Sequence, residues 1–261
     1  MSSFFAIGDV HGRYDLLTGL LKKWEADYRG HRLVFLGDYI DRGPDAFKVV
    51  SLVKELTEIQ DAIALKGNHE DFALNYFQGK WFNKNDIWFY GGNGGQKTVA
   101  SYGREMKLYG HGKFFEAFSR SYHADWMKAL PLNYETDEVW FSHAPIPKKE
   151  LIPFRSGKPV DYRIDNDSNV WTFHGNYGVK EGEEAMDHGK LAVCGHVHAL
   201  REGILVPRVY RDPGKDYDKI VYADTGCGCW EGAPLTGIIV EDGVYKGYVQ
   251  EKPRALASLP E

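Results

Sequence analysis

Six times along the chain, a short apolar run stops abruptly at a polar or glycine-bearing tip. Residues 4–7 run into Gly8-Asp9, 33–36 into Gly37-Asp38, and 63–65 into Gly67-Asn68-His69-Glu70. Later, 139–141 meet Ser142-His143, 191–194 meet Gly195-His196-Val197-His198, and 220–223 meet Asp224-Thr225-Gly226. Short apolar runs with such boundaries read as buried strands. Between the first three lie two stretches with helical spacing. Residues 14–28 carry Leu16, Leu17, Leu20, Leu21 and Trp24 on one stripe, and 46–59 repeat the pattern. The first 70 residues therefore predict β-α-β-α-β and a parallel sheet. Ligands of such sheets gather beyond the carboxyl ends of the strands, which is where the polar tips of this parallel run fall.

The rest of the chain is consistent with one domain spanning 1–261. Residues 71–130 read as a helical and irregular insert, interrupted by a loop at Gly91-Gly92-Asn93-Gly94-Gly95. The stretch 147–169, rich in Pro, Asp and Asn, reads as a long surface excursion. Residues 235–240 and 244–249 predict a hairpin turning at Asp242-Gly243.

Charge and composition exclude several classes. The net charge is −5, and basic pairs such as Lys22-Lys23 and Lys148-Lys149 are dispersed. A groove for a nucleic-acid backbone needs clustered Lys and Arg, so no nucleic-acid partner is expected. No apolar run approaches the roughly 20 residues that span a bilayer, so no membrane partner is expected either. Three cysteines, Cys194, Cys227 and Cys229, argue against a disulfide framework. Cys227 and Cys229 read as free buried thiols. The opening residues lack a signal-peptide core, and the expectation is a cytoplasmic protein.

The strand tips carry ligand chemistry. Asp9, His11, Asp38, Asn68, His143, His196 and His198 offer carboxylate, imidazole and amide donors. This donor set suits borderline metals. Seven candidates are too many for one ion and suit two ions sharing a bridge. Paired ions about 3.5–4 Å apart clamp both the attacking and the leaving oxygen of a displacement. Such a pair suits a displacement in which both of these oxygens carry charge.

Three blocks, Gly8-Asp9-Val10-His11-Gly12, Gly37-Asp38-Tyr39-Ile40-Asp41-Arg42-Gly43 and Gly67-Asn68-His69-Glu70, resemble the signature of the phosphoprotein phosphatase family of calcineurin-like metallophosphoesterases. Ser142-His143-Ala144, Gly195-His196 and Asp224-Thr225-Gly226 follow the same family order. The Gly92–Gly95 stretch ahead of Thr98 and Tyr102 is similar to the bacterial and phage branch. The resemblance implies an α/β sandwich of mixed sheets flanked by helices, in αββα layers. It implies that Asp9 and His11 bind a first metal, that Asp38 bridges, and that Asn68, His143 and His196 bind a second. The cofactor implied is a pair of divalent ions, manganese first, with iron or zinc as alternatives. Arg42 and Asn68 would hold the phosphate. His69 would protonate the leaving oxygen, oriented by Asp41.

Two features depart from the family pattern. His198 is either an extra ligand or a neighbour of the ligands. A second phosphate-binding arginine is missing near 170–174, where His174 could substitute or Arg163 could reach in from nearby; both also read as loop residues without a role, Arg163 above all. Glu70 reads as a support for the ligands or as the start of the next helix. The leading expectation is a serine/threonine phosphomonoesterase acting on phosphoproteins or small phosphate esters. The alternatives are a symmetrical dinucleoside tetraphosphate hydrolase, a phosphodiesterase, and, against the intact ligand set, a non-enzymatic scaffold.

Overall fold

The computed structural model describes residues 2–77, 88–89, 92–109, 111–145, 190–197, 205–211 and 218–253. Two five-stranded mixed sheets form the frame. The first contains β1 (Ser3–Ile7), β2 (Arg32–Phe35), β3 (Ile63–Ala64), β9 (Leu235–Glu241) and β10 (Val244–Glu251), in the order β10-β9-β1-β2-β3. The second contains β4 (Asn133–Glu135), β5 (Val139–Ser142), β6 (Leu191–Cys194), β7 (Arg208–Arg211) and β8 (Asp218–Tyr222), in the order β4-β5-β6-β8-β7. β1, β2 and β3 run parallel, as do β5, β6 and β8. Five of the six polar tips directly follow these strands, and the sixth opens a helix after β3.

Side-chain alternation explains the layers. On β1, Phe5 and Ile7 point to one face, and Phe4 and Ala6 to the other. The Phe4 face meets Val34, Val139, Phe141, Val193 and Val221, which makes the core between the sheets. The Phe5 face is covered by α1 (Tyr14–Asp27) and α2 (Ala46–Ile59). These helices bury Leu16, Leu17 and Leu20, and Val49, Val50 and Val53, as their 3.6-residue spacing requires. Four further helices follow: α3 (Asn68–Phe77), α4 (Gly95–Met106), α5 (His111–Arg120) and α6 (His123–Ala129). They extend the same core through Phe72, Tyr102, Phe114, Phe118 and Met127, joined by Trp88 from the turn before α4.

Three details differ from the sequence reading. Gly95 is not loop: it opens α4, and Gly94 takes the left-handed φ of 91° just before it. Asn68, His69 and Glu70 do not stand on a strand tip. They form the first turn of α3, after a β3 of only two residues. β4 and β7 are short, half-exposed strands at the edges of the second sheet, with too little apolar patterning to announce themselves. Among the described residues, no helix is long and apolar enough to cross a membrane.

Candidate metal centre

The loops that end the parallel strands have unusual backbones. His11, Asp38, Asp41, Arg42 and His196 all have positive φ, between 44° and 71°. Each costs about 1–2 kcal/mol for a residue with a Cβ, so other bonds must hold these loops in place. Glu70 supplies three of them. Its buried carboxylate accepts the backbone N–H of Asp38 at 2.9 Å, Tyr39 at 2.8 Å and Gly67 at 2.9 Å. It is therefore both the start of a helix and the clamp between two loops. Burial pushes its carboxyl up to about 7, while these backbone donors pull the other way. Close packing finishes the arrangement: a Cβ at Gly67 would overlap the Asp38 carboxylate, and one at Gly195 would overlap that of Asp9.

Asp38 lies at the middle of the donor set. Its Oδ2 is 3.6 Å from His11 Nε2 and 3.9 Å from His69 Nε2, and its Oδ1 is 3.4 Å from His143 Nε2. Two groups of donor atoms fall within 4.8 Å of one another, His11-Asp38-His69 and Asp38-His143-His196, and Asp38 belongs to both. Asn68 Oδ1 is 2.9 Å from His143 Nε2. Asp9 lies alongside, its carboxylate accepting His196 N–H at 3.0 Å and 3.2 Å. The imidazoles are oriented for ligation. His11 Nδ1 donates to Ile40 O at 2.9 Å, and His143 Nδ1 to Leu36 O at 2.8 Å. A carbonyl can only accept, so Nε2 of each ring keeps its lone pair toward Asp38.

Electrostatics supports a cationic occupant. Burial, then the neighbouring Asp224 and Asp38 charges, raises Asp9 well above the ordinary carboxylate range. Burial, then Glu70, does the same to Asp38. Burial holds His143 down at about 4. Crowded buried carboxylates facing neutral imidazole nitrogens are disfavoured alone and satisfied by divalent cations. The residues present therefore fit a metal pair.

Beside this set stand a dyad and a guanidinium. His69 Nδ1 is 2.6 Å from Asp41 Oδ2. The same oxygen accepts Trp88 Nε1–H at 2.7 Å, and Oδ1 accepts the Thr98 hydroxyl at 2.5 Å. Thr98 Oγ1 also accepts Asp41 N–H at 2.8 Å. Burial raises the Asp41 carboxyl to about 7, against the opposing pull of Thr98, Trp88 and Arg42. Arg42 Nη1 lies 3.0 Å from His11 Nε2, and its Nη2 3.3 Å from His69 Nε2. Cys229 Sγ touches Nη1, and burial pushes that thiol up to about 12. All three cysteines are free, as expected.

The structure thus gathers Asp9, His11, Asp38, Asp41, Arg42, Asn68, His69, His143 and His196 at one edge. His198, His174 and Arg163 lie outside the described residues, as does most of the excursion at 147–169. Several neighbours had no role at the site in the sequence reading, where Trp88 read as core of the helical insert rather than as the wall of a substrate cleft. Trp88 is core, with no exposed surface, yet its indole N–H also holds Asp41. Thr98 was visible only as a landmark after the glycines. Asp224 was a polar tip without a role; it is buried, caps the Gly226 N–H at 2.8 Å and adds to the negative field on Asp9.

A family model described as calcineurin-like phosphoesterase matches residues 2–200. The chain is 32% identical over 154 residues to an asymmetrical bis(5'-nucleosyl)-tetraphosphatase of Oceanobacillus iheyensis, covering 54% of this chain and 56% of that protein. It is 37% identical over 71 residues to serine/threonine-protein phosphatase 1 of Salmonella typhimurium, covering 27% of this chain and 31% of that one. These matches span less than two thirds of either relative. In fold, the chain is similar to a cold-active protein-tyrosine phosphatase of a psychrophilic Shewanella, with a TM-score of 0.61 at 17% identity over 95% of this chain and 80% of that one.

Proposed function

The chain belongs to the calcineurin-like phosphoesterase family, and from that premise we propose that it hydrolyses dinucleoside polyphosphates with two divalent cations, manganese first, held by Asp9, His11, Asp38, Asn68, His143 and His196. The observation that carries this substrate class is the reach of the likeness. It extends over 154 and 189 residues to proteins named as tetraphosphatases and over 71 and 100 to ones named as protein phosphatases. The cations supply Lewis-acid polarisation of the phosphate and an activated water. The chain's own residues do the rest. Arg42, between the rings of His11 and His69, offers a planar fork to two phosphate oxygens. Asp41 fixes His69 through Nδ1, so Nε2 faces the leaving oxygen and can give it a proton. Trp88 and Thr98 keep Asp41 from turning away.

The second reading is a serine/threonine phosphomonoesterase, and the dyad favours it. A phosphate leaving group is stable as an anion near neutral pH, whereas a serine alkoxide must be protonated as it departs. A built acid such as His69–Asp41 matters most for the alkoxide. Product analysis separates the two. With manganese, the first reading expects a dinucleoside tetraphosphate to be cleaved with a kcat/KM well above that for a phosphoserine peptide. The reverse ranking would install the second reading. Equal inactivity on both, with a diester cleaved, would discard the two together.

A further inference from the structure

A cleft of about 490 Å³ opens beside the donor cluster, lined among others by Arg13, Asp15, Arg42, Asp45, Cys229 and Trp230. We propose that this cleft is a nucleobase subsite, in which the Trp230 ring stacks on the base of the nucleotide whose phosphate Arg42 holds. The inference rests on the dinucleoside-polyphosphate reading above.

Continuity comes first. Arg42 faces His11 and His69 on one side and lines the cleft on the other. A phosphate held there leaves its substituent at the cleft mouth. The volume lies within the range of small-molecule sites, roughly 300–1,000 Å³.

Trp230 is the second observation. Its residue is 52% exposed, although an indole is among the most costly groups to leave in water. Other exposed aromatics, Tyr109, Tyr122 and Tyr248, do not line this cleft. The turn that carries Trp230 is well fixed. Cys229 N–H and Trp230 N–H both donate to Gly226 O, at 2.9 Å and 3.2 Å, and Ala233 N–H donates to Trp230 O at 3.2 Å. A ring presented on a fixed backbone is a low-entropy platform.

Charge selects the kind of ligand. Arg13 is spent on Asp15, through Nε at 2.9 Å and Nη2 at 2.7 Å. Asp45 is answered by Arg104 at 2.9 Å. Glu231 adds a further carboxylate to the lining, so among the described residues, Arg42 apart, these walls offer no surplus positive charge for a phosphate chain. A neutral planar group against an aromatic face is what remains, and such stacking tolerates any base.

The test compares diadenosine tetraphosphate with inorganic tripolyphosphate, which has the anhydrides but no base. In the manganese-loaded full chain, Trp230→Ala lowers the ratio of kcat/KM for the first over the second roughly tenfold. Trp230→Phe retains most of the ratio. Tyr248→Ala, an exposed aromatic on β10 remote from the cleft lining, leaves the ratio as it is. Calorimetry supplies a readout without turnover: adenosine 5′-monophosphate binds the wild type more tightly than ribose 5-phosphate, and Trp230→Ala removes that difference. A wild type that cleaves the dinucleotide, with both ratio and binding difference intact in Trp230→Ala, overturns the subsite alone. A wild type that cleaves phosphoserine but no dinucleotide overturns the substrate reading and the subsite with it.

Discussion

The two sheets serve one centre by different means. On the first, the loops after β1 and β2 and the first turn of α3 are irregular, left-handed and tied by side chains, with the Glu70 carboxylate taking three backbone donors. They hold Asp9, His11, Asp38, Asp41, Arg42, Asn68 and His69. On the second, His143 follows directly from a regular parallel strand and a backbone carbonyl orients its ring, while His196, itself left-handed, is held through its N–H by the Asp9 carboxylate. The His69–Asp41 pair, the guanidinium and the shared carboxylate thus all lie on the more strained side, while the other contributes imidazoles. Strain costs stability but lets one short segment, Asp38 to Arg42, aim three functional side chains at one point.

Breaking the strained side at its centre should have the largest effect. Asp38→Asn removes the donor common to both groups, and metal-dependent hydrolysis should fall roughly a thousandfold. Steady-state rates with titrated manganese test this, and a variant within tenfold of wild type would remove Asp38 from the shared position. His69→Asn should cost about a hundredfold on a phosphoserine peptide and less on para-nitrophenyl phosphate, whose leaving group needs no proton. An equal loss on both would mean that His69 acts as a ligand rather than as an acid.

The regular side should show itself through pH. Burial keeps His143 at about 4 in the folded chain, below the ordinary value of about 6.5. Between those values the unfolded chain binds a proton that the folded chain refuses, so stability falls as pH drops through that window. For the metal-free protein this contribution is roughly 2 kcal/mol between pH 7 and pH 5. Urea unfolding at the two pH values should show a smaller drop in His143→Gln than in wild type. The same drop in both would refute the assignment.

The smallest effects compare the scaffolds directly. Glu70→Gln sets an amide N–H against backbone donors and should destabilise the chain by about 2 kcal/mol. Ser142→Ala, on the second sheet, removes the hydroxyl bond to Ala144 O at 2.8 Å and the weaker contact with Cys194 Sγ at 3.5 Å and should cost about 1 kcal/mol. If Ser142→Ala proves the costlier, the strained side is not the one that depends on its side-chain clamps.

Much of this was legible in the chain. The run β-α-β-α-β, the final hairpin and the six strand tips could be read because strand burial, helical stripe and turn chemistry are local, and each writes a period or a boundary into consecutive residues. The nine residues from Asp9 to His196 that meet at the donor edge were readable as types, although Asn68 and His69 stand on the first turn of α3 and not at a strand end. Glu70 was only half readable, since a carboxylate at a helix start looks the same whether or not loops reach it.

What tertiary structure alone decided is which distant residues close around those tips. Trp88 and Thr98 join Asp41 only because α4 lies across the loop after β2. Cys229 and Trp230 come beside Arg42 only because the turn after β8 reaches the first sheet's loops. The sequence by itself determined the strand order of donors, because ligand type and spacing are local properties. Packing decided who supports them and what lies next to Arg42, because a hydrogen bond between residues 47 or 187 positions apart leaves no periodic trace along the chain.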